Sequence, residues 1–249
     1  MTTILLIRHG RTTANARGVL AGWTPGVGLD QIGREQADAL AARLADVPVT
    51  HLVTSPLQRT VETARALAVG RNVKTTRDKR LGECDYGDWT NTSLKKLAKN
   101  ALWAAVQVHP SSVTFPGGES MPEMQTRAVA ATRDWSARGE TEAGDAAIVA
   151  IVSHGDVIKA ILADALGMHL DAFQRIVVDP GSLSVIRYSS SRPTVERVND
   201  VGGSIDGLLP APEPKKSKRH SASRATSRVR RSGFDAVLGG GTGPSARRR

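Results

Sequence analysis

The patterning of this chain predicts an α/β fold: a three-layer α/β/α sandwich around a mainly parallel central sheet. Short β-branched apolar runs recur along it, and between them apolar residues repeat at the three-and-four spacing of helices. Most of the runs are apolar throughout, as strands covered on both faces must be. The first run, residues 3–7 (TILLI), ends against Arg8, His9 and Gly10. Ala37, Leu40, Ala41, Leu44 and Val47 then mark the buried face of a helix. The second run is residues 51–55 (HLVTS), and Ser55-Pro56 supplies N-cap and first-turn signals for a helix carrying Leu57, Val61, Ala64 and Ala68. Residues 93–108 read as a further helix that ends before Pro110. Ser120-x-x-Glu123 is a capping box, and the helix it opens places Met121, Met124, Ala128, Ala131 and Trp135 on one face. After a third run, residues 147–153 (AIVAIVS), a helix from about Asp156 buries Val157, Ile158, Ile161, Leu162, Ala165 and Leu166 and stops at Gly167. Residues 182–188 (SLSVIRY) form the fourth run, and the folded part is expected to end near Val201.

Charge divides the chain. The formal net charge is +10, but residues 206–249 alone hold 11 Lys+Arg against 3 Asp+Glu, a net +8, which leaves residues 1–205 at +2. The basic segment is rich in Pro, Ser, Gly and Arg and poor in aromatics. It cannot offset its ordering entropy by burial, so it is expected to be a disordered tail. Its cationic clusters at 215–219, 228–231 and 247–249 lack interleaved aromatics. A nucleic acid or acidic partner would therefore be held through charge, nonspecifically and with steep salt dependence.

Cys84 is the only cysteine, which excludes an intrachain disulfide and a cysteine-based zinc site and suits a reducing compartment. No apolar run approaches a membrane span. The N-terminal apolar stretch precedes its basic residues rather than following them, unlike a secretory leader. A cytoplasmic location is expected. No H-E-x-x-H or acidic metal box is present, so neither a metal nor a cofactor is expected.

The chemistry lies at the ends of the runs. Arg8-His9-Gly10 follows the first and Ser153-His154-Gly155 the third, and ligands of parallel α/β sheets collect beyond the carboxyl ends of the strands. Arg59, in the first turn after the second run, reaches the same rim. Two arginines and two histidines together require an anion to join them. A phosphoryl dianion fits best, because guanidinium forks match its oxygens bidentately and stay charged at physiological pH. A neutral imidazole whose Nδ1–H is held by a backbone carbonyl would present its Nε2 lone pair to phosphorus.

Together "RHGRTTAN" (8–15), "SPLQRTVETA" (55–64), "LGECDYGDW" (81–89), "GGES" (117–120) and "VSHG" (152–155) resemble the motifs of the histidine phosphatase (phosphoglycerate mutase-like) superfamily, in the family's order. The resemblance covers about residues 1–200, so residues 1–205 are read as the catalytic domain. It implies His9 as the nucleophile, with Arg8, Arg59 and His154 as the phosphate pocket. Asn15 and Gly155 join as neighbouring phosphate-binding positions, and Glu83 matches the family's proton donor. Asp85, Glu119 and Asp156 are rival carboxylates. In the acid-phosphatase branch the donor directly follows the second histidine, a position occupied here by Gly155, which favours Glu83. The sequence departs from the family at Thr90-Asn91 and at "VGLD" (27–30), which leaves the substrate open.

Other residues take ordinary readings. Ser55 and Ser153 are assigned to caps and turns, and Arg127 to a solvated helix face, with steadying the site as its alternative. Trp23 and Trp89 are placed at the pocket wall, Trp103 and Trp135 in the core. Related phosphoglycerate mutases carry a longer insertion with paired arginines after "GDW", whereas residues 90–116 hold only Lys95, Lys96 and Lys99 as strong cations. The reading preferred is therefore a phosphatase acting on a small phosphorylated metabolite. A primed mutase, or a binding protein working chiefly through its tail, are the alternatives.

Overall fold

The computed structural model describes residues 1–203, apart from the side chain of Ala146. Its strands are β1 (Thr2–Arg8), β2 (Val19–Leu20), β3 (His51–Thr54), β4 (Thr75–Arg77), β5 (Thr92–Ser93), β6 (Ile148–Ser153), β7 (Leu183–Tyr188) and β8 (Pro193–Asp200). The α-helices are α1 (Thr13–Arg17), α2 (Gln31–Arg43), α3 (Gln58–Ala68), α4 (Leu94–Leu97), α5 (Ala101–Val108), α6 (Met121–Ala143) and α7 (Gly155–Ala165). Six strands form one sheet in the order β4-β3-β6-β1-β7-β8, while β2 and β5 make a small separate ribbon. From β4 to β1 every pairing is parallel, and β7 and β8 add antiparallel pairings at the other side.

Alternation along the strands produces the layers. Ile4 and Leu6 of β1 face α6 and α7, packing with Val53, Ile151, Met124, Ala128 and Val157. Leu5 and Ile7 point the other way and pack with Leu52, Val152, Leu40, Ala64 and Leu67 under α2 and α3. Ser120 and Glu123 form the expected reciprocal cap at the start of α6.

Several expectations need correction. The helix read over 93–108 is two short helices, broken where the Asn100 side chain accepts from the N–H of Leu102 and starts α5 afresh. Ser55 is not the N-cap of α3: Leu57 occupies that place without a side-chain cap bond, while the Ser55 hydroxyl accepts only a long bond of 3.4 Å from the Leu57 N–H and lies 2.8 Å from Nε2 of His154. Helix α7 ends at Ala165, so Leu166, expected in the core, is 48% exposed, while Gly167 takes the left-handed turn with φ 66°. Strands β4 and β8 lie at the sheet's two edges, where partly exposed side chains blur the apolar pattern. The expected domain boundary at 205 and the tail fall outside the described residues.

Candidate active site

Parallel register assembles the site. Arg8 of β1 lies opposite Ser153 of β6, so the residues that follow, His9 and His154, leave the sheet side by side at its carboxyl edge. The His9 N–H donates to the Ser153 carbonyl at 3.0 Å, and the two imidazoles meet edge-on with centroids 5.2 Å apart. On the far side of β6, β3 pairs Thr54 with Val152 and delivers Ser55, then α3 with Arg59, to the same edge. Arg8, His9, Arg59 and His154 are each at most 2% exposed. Four basic side chains thus share one buried cluster, an arrangement that charge repulsion opposes and an anion would relieve.

His9 is held in a defined tautomer. Its Nδ1 lies 2.7 Å from the Gly10 carbonyl oxygen, which can only accept, so Nδ1 carries the proton and Nε2 the lone pair. Nε2 receives a long contact of 3.2 Å from Nε–H of Arg59, whose Nη2 donates to the Gly22 carbonyl at 2.9 Å. Burial, and then the charges of Arg59 and Arg8, hold the His9 pKa well below the ordinary histidine value. Burial and the charge of Arg59 do the same for His154. The Nε2 of His154 sits 2.8 Å from the Ser55 hydroxyl. Its buried Nδ1 and the buried Nη1 of Arg59 have no hydrogen-bond partner among the described residues. Arg8 anchors Nη1 on the Val178 carbonyl at 2.6 Å.

Glycines allow the loop after β1 to sit so deep. A Cβ on Gly10 would run into the carbonyl of Gly33, and one on Gly33 into the backbone of Arg11. The first turn of α2 therefore lies directly against the residues that follow His9. Asp30 and Gln36 fasten the contact, with the Arg11 N–H donating to Gln36 Oε1 at 2.8 Å and Arg11 Nε to Asp30 at 2.8 Å. From α3, the Thr63 hydroxyl accepts from the Gly10 N–H at 3.1 Å.

Glu83 is the carboxyl group that faces the histidines, its Oε2 3.9 Å from Nδ1 of His154. Burial, seconded by the negative charge of Asp156, raises its pKa to about 7, with Arg59 pulling the other way. The rivals are engaged elsewhere. Asp85 is exposed and accepts from the Gly87 N–H, Glu119 pairs with Arg127, and Asp156 is buried against the Tyr86 hydroxyl at 2.7 Å and Lys159 at 3.6 Å.

The structure thus brings together Arg8, His9, Arg59, Glu83 and His154, and Gly155 opens α7 immediately behind His154. Asn15 is bound differently: its Oδ1 accepts from the N–H and hydroxyl of Thr12, capping α1. Trp23 reaches the Glu83 carbonyl through its indole N–H at 2.7 Å. Trp89, expected at the pocket wall, is buried in the core cluster with its ring centroid 5.3 Å from that of Phe115. Ser153 has the structural part expected, donating to the Leu81 carbonyl at 2.8 Å. Ser55 and Arg127, which read as ordinary in the sequence, both touch the site or its loop. Position alone hinted at Ser55, since it ends a run as His9 and His154 do. Among the described residues, no group of three His, Cys, Asp or Glu side chains is arranged to hold a metal ion.

Comparison with known proteins places this geometry. A model of the histidine phosphatase superfamily (branch 1) matches residues 4–201. A Yersinia enterocolitica protein named a probable phosphoglycerate mutase is 31% identical over 193 residues, covering 77% of this chain and 87% of that protein. The solved structure of YhfR from Bacillus stearothermophilus aligns with a TM-score of 0.75 at 28% identity, covering 81% of this chain and 98% of that one. The α-ribazole phosphatase from Shigella flexneri aligns with a TM-score of 0.69 at 26% identity, covering 82% of this chain and all of the other, 100%.

Proposed function

This chain belongs to the histidine phosphatase superfamily, branch 1, and on that premise we propose that it hydrolyses a small phosphomonoester through a phosphohistidine formed at Nε2 of His9. The observation that carries the reading is the His9 imidazole itself, neutral, with its Nδ1–H tied to Gly10 and its lone pair turned into a cluster of buried cations. A ring fixed in that tautomer is a nucleophile at neutral pH without prior loss of a proton.

The steps follow from the groups present. As the phosphoryl group enters, Arg59 Nε exchanges its long contact with Nε2 for a phosphoryl oxygen. Arg8, Arg59 and His154 then stabilise charge on the equatorial oxygens. A Ser55 hydroxyl donating to Nε2 of His154 leaves Nδ1–H of that ring as a donor to phosphate. The Nε2 lone pair of His9 forms the N–P bond, the P–O bond to the leaving alcohol breaks, and the departing oxygen takes the proton of Glu83. Water next gives a proton to the Glu83 carboxylate and attacks phosphorus, the N–P bond breaks, and inorganic phosphate departs. One carboxyl group serves as acid and then base, a contribution of typically about 10²–10⁴-fold.

Hydrolysis is favoured over mutase transfer by the segment between Trp89 and Gly117, which is short and free of arginine. The experiment is a screen of small phosphomonoesters for phosphate release, beside a mutase assay with and without a bisphosphoglycerate primer. Hydrolysis of one ester well above the rest is expected; rapid, primer-dependent isomerisation with little phosphate release would replace this reading by the mutase. His9→Ala should abolish both turnover and the acid-labile phosphoenzyme, and label surviving in that variant would move the nucleophile elsewhere.

A further inference from the structure

Residues 83–86 belong to no helix or strand, so no ladder of backbone hydrogen bonds fixes the segment that carries Glu83. Contacts from elsewhere in the chain do so instead: the Trp23 indole N–H on the Glu83 carbonyl at 2.7 Å, the Glu119 N–H on the Asp85 carbonyl at 3.0 Å and, with the most bonds, one arginine side chain. Arg127, in the second turn of α6, donates Nη1 to the carbonyls of Arg80 at 2.6 Å and Gly82 at 2.8 Å, and Nη2 to the carbonyl of Glu83 at 3.0 Å. Its Nε and Nη2 grip the Glu119 carboxylate at 2.9 and 2.5 Å. All five N–H donors of a guanidinium are thereby used. Glu119 completes the brace by accepting from the N–H of Asp85 at 2.8 Å, just beyond Glu83. The loop is thus pinned on both sides of the acid by one ion pair, and that pair is anchored in turn: Glu119 directly precedes Ser120, whose capping box fixes the first turn of α6.

We propose that Arg127, with Glu119, is a positioning pair that holds the Glu83 carboxyl at the distance from the leaving-group oxygen that proton transfer needs. Neither side chain touches the histidines; both act through the backbone of residues 80–85. This rests on the phosphatase reading and adds to it a residue outside the motif strand-ends. A guanidinium is required because a lysine ammonium cannot span three carbonyls and a carboxylate in one plane.

The test separates positioning from mere stabilisation through the leaving group. A nitrophenolate departs without a proton, whereas an alkoxide needs Glu83. The full chain and its Arg127→Met variant are assayed with p-nitrophenyl phosphate and with glycerol 2-phosphate, reading kcat/KM, which reports formation of the phosphoenzyme. For Arg127→Met the alkyl ester should lose about 10²-fold, the loss typical of an ångström-scale misplacement, while the aryl ester changes less than about threefold. Glu83→Gln should show the same selectivity, and adding Arg127→Met to it should lower neither value further, as expected of residues acting as one unit. Equal losses on both esters, or losses that multiply in the double variant, would overturn the proposal. If Arg127→Met does not fold, Arg127→Lys carries the same comparison, with the same selectivity expected to a smaller degree. Should the screen single out another alkyl ester, that ester takes the place of glycerol 2-phosphate. Failure of the unaltered protein to hydrolyse any ester of the screen would remove the phosphatase reading and this role with it, whereas intact hydrolysis without leaving-group selectivity would remove this role alone.

Discussion

Burial and the negative charge of Asp156 push the Glu83 carboxyl up against the pull of Arg59 and Arg8, and they prevail, placing its pKa at about 7. An acid that must give up a proton near neutrality and take one back gains from that position. For an alkyl ester, kcat/KM should fall as pH rises through about 7, and Glu83→Gln should remove that alkaline limb along with most of the activity. The same shift affects stability. Below the ordinary value of 4.5 the carboxyl is protonated in both folded and unfolded chains and has no effect. Between 4.5 and about 7 only the unfolded chain ionises, so stability falls with rising pH and then stays lower by on the order of 3 kcal/mol. Urea unfolding at the two ends of that window should therefore show Glu83→Gln more stable than the natural chain at the alkaline end and closely matched at the acid end. A constant difference would mean that the carboxyl is not held protonated. His9 and His154 act in the opposite sense: kept neutral by burial, they withdraw stability as pH falls through 6.5, where the unfolded chain takes up protons.

Among the elements, the contact between α2 and the loop after β1 shows which magnitude decides. Gly33 lies inside a helix, where alanine is better by about 1 kcal/mol on propensity alone. Yet its Cβ would meet the Arg11 backbone, whose N–H donates to Gln36 Oε1 and whose carbonyl accepts from the N–H of the N-cap Asp30. Overpacking against immobile backbone opposes folding by about 1–3 kcal/mol or more, so Gly33→Ala should destabilise despite its propensity, and should lower kcat/KM by shifting His9. A gain in urea midpoint with unchanged kinetics would show that α2 can move away freely. This pairing was invisible in the sequence, since nothing local distinguishes Gly33 from an ordinary weak helix position. Strands β1 and β6 were legible because both faces are covered, making them continuous apolar runs whose ends name His9 and His154. Arg127 was not. A lone arginine seven residues past a cap reads as solvated, and its partners are carbonyl oxygens, which every residue has and no sequence marks. Ser55 was misread for a related reason: Ser-Pro before an apolar period is a strong cap signal, and only the β3–β6 register brings its hydroxyl to His154.

Across the whole molecule, chemistry and net charge belong to different parts of the chain. The five buried groups of the site lie within residues 8–154, in a region whose formal charge through residue 205 is only +2. The segment 206–249 carries +8 and contributes none of those groups. If the site is complete without it, removing residues 206–249 should leave kcat/KM for p-nitrophenyl phosphate unchanged. The cations should matter elsewhere: the full chain should be retained on immobilised duplex DNA at low salt and released steeply as salt rises, with log K falling by about 0.9 per neutralised phosphate for each unit of log salt. The shortened chain should pass through, because a nearly neutral domain lacks the charge to displace condensed counterions. Retention of the shortened chain would assign the contact to the folded domain. Loss of hydrolysis on truncation would mean that the basic segment takes part in the site, and that the boundary at 205 divides the chain in the wrong place.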